Sequence, residues 1–328
     1  LHRLAEESNS EFAATTDQWS HPINLLHGPD GAIWVVDYYR EIIEDYSAIP
    51  RHLQQQYELY NGADHGRIYR LTHKDIKKAP SANLSDLSTA GLTKKLLSPI
   101  YWHRQTAQRL LVERNRESTS NELILLLENH SENEAAVIPA LHALDRLNQL
   151  RLAQLIPYLT HLSTDVRIHA VQLCASRLSD SDLLEAVIQA ANQESNARVQ
   201  IEFALVLGET QSQESLPVLA DYARKSIETP WMADAILSSV HGRSAKLLDL
   251  LLKERGEAGV FIQLLAKSIG ASQDVEELES VLISLTTHSS PANSNALKGM
   301  NEGRNFAPGL KLTNPRAKAA LEELKNLS

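Results

Sequence analysis

Tyr101-Trp102-His103-Arg104-Gln105-Thr106-Ala107-Gln108-Arg109-Leu110-Leu111-Val112-Glu113-Arg114 is a helix-length run, and its pattern recurs down the chain. Counted from Arg104, steps of 32, 31 and 31 residues reach Ala136, Arg167 and Arg198. The helix before each of these repeats as well, from Ile124 to Ile156, Val187, Val218 and Leu250. A two-helix period of about 30–45 residues marks an α-solenoid, in which each helical hairpin buries its apolar side against the next. The fold class read from the sequence is therefore mainly α, a solenoid of helix pairs.

Within the second helix of each pair, offset +3 from the Arg104 position holds Ala107, Pro139, Ala170 and Ile201. Offset +7 holds Leu111, Ala143, Cys174 and Leu205, and offset +8 holds Val112, Leu144, Ala175 and Val206. These offsets share one helix face and are the expected core between repeats. Cys174 is then a packed thiol. Offset +10 carries Arg114, Arg146 and Arg177 and then Gly208, cations suited to a helix C-terminus and a glycine suited to a helix end. Ser98-Pro99 is expected to open the first of these helices, with serine as N-cap. Residues 257–287 read as two more helices, and Pro291–Pro308 as a loop with a short helix. Asn314-Pro315 caps a last amphipathic helix, Arg316–Leu327.

Before the repeats the pattern changes. Gly28-Pro29-Asp30-Gly31 is turn chemistry between two runs rich in Ile, Leu, Val and Trp, so residues 21–37 predict a β-hairpin. Arg67-Ile68-Tyr69-Arg70-Leu71 predicts a third strand, and Glu11–Thr16 an earlier one. The insertion Tyr39–Asp64 is expected to hold a short helix after Pro50, around His52–Tyr60. The organisation expected is a β segment over 1–75, a linker and first helix over 76–97, the solenoid over 98–290, and a C-terminal loop and capping helix over 291–328. A few strands alone cannot cover their faces and edges.

The 328 residues include 43% hydrophobic ones and carry a net charge of −9. That charge, without a basic cluster, argues against nucleic acid as a partner. No apolar run approaches the ~18 residues of a membrane span. The single cysteine excludes an internal disulfide and a Cys-x-x-Cys-His haem attachment within this sequence. Residues 1–10 are polar and charged, with no signal peptide and no initiator Met, so a fragment of a longer chain is expected.

Three stretches together carry a family resemblance: Trp19-Ser20-His21-Pro22-Ile23-Asn24, then Gly28 through Asp37-Tyr38-Tyr39-Arg40, and Gly66-Arg67-Ile68-Tyr69-Arg70, continuing into Tyr101–Arg114. The chain resembles a bacterial membrane-bound dehydrogenase family in which a sugar-dehydrogenase-like β-propeller precedes HEAT repeats, often followed by a cytochrome c domain. The stretches correspond to the last propeller blade and the first repeat. The family often has Arg where this sequence has His21. The resemblance implies a HEAT-like solenoid behind a small antiparallel segment like a propeller blade. It implies a quinone cofactor, haem c and a sugar substrate for the whole protein, with no cofactor held by this chain, and an extracytoplasmic or periplasmic location.

Two functional readings follow. In the first, the repeats are a scaffold that docks a partner protein or the haem domain, and no complete catalytic site lies in this chain. In the second, the chain is the C-terminal part of a quinoprotein-type sugar or alcohol dehydrogenase passing electrons to a haem. Asp37, Arg40, Asp64 and Arg67 are the candidates for a propeller channel; the structural alternative is ion pairs that close the blade, because buried charges are normally paired. Arg67 and Arg70 differ by three and so face opposite ways. Tyr101, Trp102 and Arg104 are candidates for packing between β segment and solenoid, with Trp102 sealing the joint. His21, His27 and His65 lack metal-ligand spacing, and no metal site is expected. Asp165 and Arg167 read as structural, the acid capping its helix and the arginine bonding neighbouring loops. A carbohydrate-binding module stacking sugars on Trp19, Trp34 and Tyr38 is a third reading.

Overall fold

The Gly-Pro-Asp-Gly turn forms as its residues predict. Gly28 N–H donates to the Ala32 carbonyl at 2.8 Å, Asp30 Oδ1 accepts from Ala32 N–H at 3.2 Å, and Gly31 takes φ +82°. Strands β1 (Pro22–His27) and β2 (Ile33–Asp37) flank it, and β3 (Arg67–Leu71) pairs with the other side of β2. All pairing is antiparallel, with Leu26 opposite Trp34, Val35 opposite Tyr69 and Asp37 opposite Arg67. The computed structural model describes residues 9–43, 46–56, 59–75, 83–225, 229–253, 258–272, 274–288, 290–304 and 311–327. The chain divides into two bodies, Leu1–Glu122 and Leu123–Ser328.

In the first body, the strand expected at Glu11–Thr16 does not form. The chain there turns on itself: Thr15 Oγ1 accepts from Asp17 N–H at 3.1 Å, and Asp17 Oδ1 from Trp19 N–H at 3.1 Å. Such local bonds compete with strand pairing. Helix α1 (Arg51–Gln54) starts behind Pro50 as expected but ends before the predicted span to Tyr60; residues 57–58 lie outside the described set. Helix α2 (Thr89–Lys95) is capped by Ser88, and α3 (Tyr101–Arg114) follows. Helix α3 begins later than Ser98-Pro99 predicts. Ser98 Oγ accepts from Ile100 N–H at 3.2 Å, which turns the chain and leaves Ile100 at the cap position.

Helix α4 (Thr119–Asn129) leads into the second body, where first and second helices alternate. The second helices are α5 (Glu134–Arg146), α7 (Thr164–Cys174), α9 (Ala197–Val206), α11 (Met232–Ser239) and α13 (Gly259–Ala271). Between them run α6 (Leu152–Leu155, extended by a 3-10 turn over Ile156–Thr160), α8 (Ser181–Gln193), α10 (Leu216–Arg224) and α12 (Ser244–Lys253). Helices α14 (Val275–Thr287), α15 (Asn293–Arg304) and α16 (Pro315–Leu327) close the chain. The fold is a HEAT-like solenoid preceded by a small antiparallel sheet.

The buried register matches the sequence reading in part: Ala107, Leu111, Ala143, Leu144, Ala170 and Val206 are buried as expected, as are Val187 and Val218, while other positions differ in phase. Along the first helices Leu123, Leu155, Val187, Leu219 and Leu251 are buried at a constant step of 32, whereas Ile124, Ile156 and Leu250 are only partly covered. Along the second helices Ala136, Val166, Val199, Met232 and Ile262 are equivalent, at steps of 30, 33, 33 and 30. The step from α7 to α9 is thus 33, not 31. Leu205, expected in the core, is 41% exposed, and Ile201 is partly covered, while Phe203 and Leu207 are buried. Pro139, Val112 and Ala175 are also partly covered rather than buried. Cys174 is buried as expected, and burial pushes its thiol up to about 12.

The segment Pro291–Pro308 holds a longer helix than expected. Its glycines are contact surfaces: a Cβ on Gly299 or Gly303 would overlap the Gln263 or Lys267 carbonyl, and one on Gly270 would lie 2.6 Å from the Met300 carbonyl. Helices α13 and α15 therefore touch backbone to backbone. Residues 305–310 lie outside the described set. The last helix docks on α14 through Glu279, whose carboxylate accepts from Asn314 N–H at 2.7 Å and from Thr313 N–H. Gly208 is also a close approach: a Cβ there would lie 2.6 Å from Ser239 Cβ. Among the described residues no helix is long and apolar enough to cross a membrane.

Candidate functional site

Asp37 ends β2 and is 1% exposed. Its Oδ1 accepts from His21 N–H at 2.7 Å and Tyr39 N–H at 3.1 Å. Its Oδ2 accepts from Ser20 Oγ at 3.0 Å and from Arg67 Nε and Nη2 at 3.1 and 2.9 Å. Burial alone would raise this carboxyl. The donors from His21, Ser20, Arg67 and Tyr39 outweigh it and hold the group below its ordinary value, so it stays ionised. Arg67 also reaches Asp17 at 3.2 Å and lies over the Tyr39 ring at 4.0 Å.

This arrangement joins strand end, preceding turn and insertion. Tyr39 takes φ +49° just after Asp37, a strained state for a tyrosine. Arg40 then donates to the Tyr39 and Gly62 carbonyls at 3.0 and 2.9 Å and lies 4.4 Å over the Tyr38 ring. It closes the insertion at its base. Asp64 sits exposed before β3, and among the described residues no ion pair joins it to Asp37 or Arg67. Asp37 and Arg67 are therefore paired, Arg40 bonds to backbone carbonyls of the insertion, and Asp64 stands exposed.

A second buried acid, Asp30, was visible in the sequence only as a turn residue. It is 7% exposed and accepts from Ala32 N–H, Trp34 Nε1 at 3.3 Å and Arg70 Nε. Burial would raise this carboxyl too, but those donors keep it low. Alternation along β3 thus sends Arg67 to Asp37 and Arg70 to Asp30. Arg70 and Asp30 also line a cavity of about 770 Å³ together with Phe12, His27, Ile33 and His73.

The contact between the hairpin turn and α3 runs through His103. Its Nε2 lies 3.0 Å from the Pro29 carbonyl, which can only accept, so Nε2 carries the proton. Its Nδ1 then accepts from Ser98 Oγ at 3.0 Å. Burial, and next the Lys95 charge, lower its pKa and keep it neutral. Tyr101 packs on His27 with ring centroids 5.0 Å apart, and Trp102 is partly covered. Arg104 donates to the Ser98 and Pro99 carbonyls at 2.7 and 3.1 Å.

The Arg104 arrangement recurs along the solenoid. Arg167 donates to the His161 and Leu162 carbonyls at 2.7 and 3.1 Å, and Gln200 to the Glu194 carbonyl at 2.7 Å. Gln200, and not Arg198, is thus the equivalent in α9. Arg167 also grips Glu194 at 2.7 and 3.2 Å, while Asp165 pairs with Arg198 at 3.2 Å. The α7 N-cap is Ser163 rather than Asp165, with Oγ 3.4 Å from Val166 N–H. Tyr158 and Tyr222 donate to the Leu127 and Ala191 carbonyls at 3.4 and 2.7 Å, each one repeat back. Among the described residues no three His, Cys, Asp or Glu side chains gather as a metal site.

Comparison with known proteins gives two partial matches. Residues 1–75 match a family model described as a domain of unknown function, DUF7133. Residues 152–237 match HEAT repeats, the part of the solenoid from α6 to α11. No curated protein matches the chain.

Proposed function

We propose that this chain is the docking scaffold of a larger, dehydrogenase-like protein of bacteria, and that its β segment is the last blade of a sugar-dehydrogenase-like propeller. The observation that carries the scaffold reading is the constant 32-residue step of buried first-helix residues from Leu123 to Leu251. Stacks of this kind present extended surfaces for protein partners, and the partner proposed is another protein or a haem domain.

The blade reading is supported by exposure. All six residues of β1 are exposed, including Ile23 at 59% and Leu25 at 65%, and Ile68 of β3 is 66% exposed. An apolar edge strand of this kind needs a neighbour. In a complete propeller the adjoining blades supply it. Asp37 and Arg67 are spent on one another and on backbone groups, which favours a role in closing the blade over direct work on substrate. A quinone cofactor, haem c, a sugar substrate and a periplasmic location belong to the proposed whole protein.

The test is turnover of the purified chain with aldoses and primary alcohols in the presence of quinone cofactor and an artificial electron acceptor. The expected result is no turnover above a control lacking residues 1–75. Turnover well above that control would overturn the reading and make the chain the C-terminal part of a working dehydrogenase.

A further inference from the structure

His142 on α5 and His169 on α7 meet between neighbouring second helices, with His142 Nε2 and His169 Nδ1 3.1 Å apart and ring planes at 84°. Both residues are partly covered, so solvent reaches the pair. Neither position belongs to the repeat pattern: in the buried register the residue equivalent to His142 is Gln172 in α7 and Leu205 in α9, and the equivalent of His169 is Pro139 in α5. Packing of the stack therefore does not require imidazoles here.

We propose that His142 and His169 form a two-imidazole site for a divalent transition-metal ion, Cu²⁺ foremost, with solvent completing the coordination. Two nitrogens bound at about 2.0–2.1 Å to one ion, at an angle of roughly 90–109°, lie about 2.8–3.4 Å apart. The observed separation falls in that window without movement of either helix. Imidazole suits copper, and among first-row divalent ions copper binds a given nitrogen site most tightly.

The hydrogen-bonded pair becomes a chelating pair by a change of tautomer. The donating ring moves its proton to its other nitrogen, both rings turn their lone pairs to the ion, and both stay neutral. Asp145, three residues beyond His142 on α5, is bonded to Arg177. This inference is independent of the dehydrogenase reading.

The test is titration of the full chain with Cu²⁺ in a non-coordinating buffer, followed by calorimetry and electron paramagnetic resonance. The wild-type chain is compared with His142→Gln and His169→Gln, whose folding is checked by circular dichroism. The expected result is one tightest site with two nitrogen couplings, weakened at least tenfold and reduced to a single coupling in either variant. Should one variant fail to fold, the other decides, since each removes one ligand. The chain has 13 histidines. Equal tightest affinity and equal nitrogen count in the wild type and a folded variant would mean adventitious copper elsewhere and would overturn the proposal.

Discussion

At the scale of single residues, the buried charges of this chain are held by partners that differ in kind. Asp37 pairs with Arg67 and with backbone N–H groups. Replacing Asp37 by Ala leaves those donors unpaired, and we expect a loss on the order of 3 kcal/mol from the first body, measured by urea unfolding. The pH dependence has a definite sign. A carboxyl lowered on folding contributes stability above its ordinary value of 3.8 and loses it as pH falls through the lower folded value. The first body should therefore weaken below about pH 4, and Asp37→Asn should remove much of that slope. Arg243 is the opposite case, a cation 2% exposed whose Nη atoms donate only to neutral groups: the Ser212, Leu207 and Ser239 carbonyls and Ser215 Oγ. It ties the ends of α9 and α11 to the turn before α10. Arg243→Met should cost about 3 kcal/mol, or about 6–12 °C in Tm, by differential scanning calorimetry. Tyr222→Phe, which loses only the bond to Ala191, should cost about 1 kcal/mol. The sequence exposed Asp37 and Arg67 because they flank strand ends. It hid Arg243, because a buried polar residue bonded to carbonyls leaves no motif.

At the scale of elements, the hairpin and β3 were legible from local chemistry, since turn residues and alternation act within a few positions. The helices were legible too, and their phase in part. Arg104, Arg167 and Arg198 look equivalent by identity, whereas Gln200 makes the bond that Arg104 and Arg167 make. Insertions in the loops before second helices shift the step between 30 and 33, and no local signal marks where. Helix α15 is longer than the short helix expected within Pro291–Pro308. The glycines of that segment counted towards its loop-like composition, yet Gly299 and Gly303 each place backbone against backbone on α13. Gly299→Ala should lower Tm by more than Gly242→Ala. At Gly242 nothing lies within 4 Å, and only its φ of +71° resists a side chain, at about 1 kcal/mol. A larger effect at Gly242 in thermal melts would refute the close contact of α13 and α15.

At the scale of the whole molecule, the stack of helix pairs in the second body is the ground for the proposed scaffold. The first helices follow one another in order, α8 beside α10, α10 beside α12 and α12 beside α14. The period announced this arrangement in the sequence, because every pair must bury the same face. The function of the candidate charges was less legible, since an ion pair that closes a strand and one that binds a ligand use the same residues. The claim on which the scaffold rests is translational order, and spin–spin distances measure it. Ala153, Glu185 and Pro217 are exposed positions of successive first helices, 32 residues apart. Cys174 is buried with its thiol pushed up to about 12, so labels placed at the other positions are not confused by it. With neighbouring helices about 8–10 Å apart, the separation from Ala153 to Pro217 should be about twice that from Ala153 to Glu185. Equal separations, or a shorter one across two steps than across one, would contradict the stack.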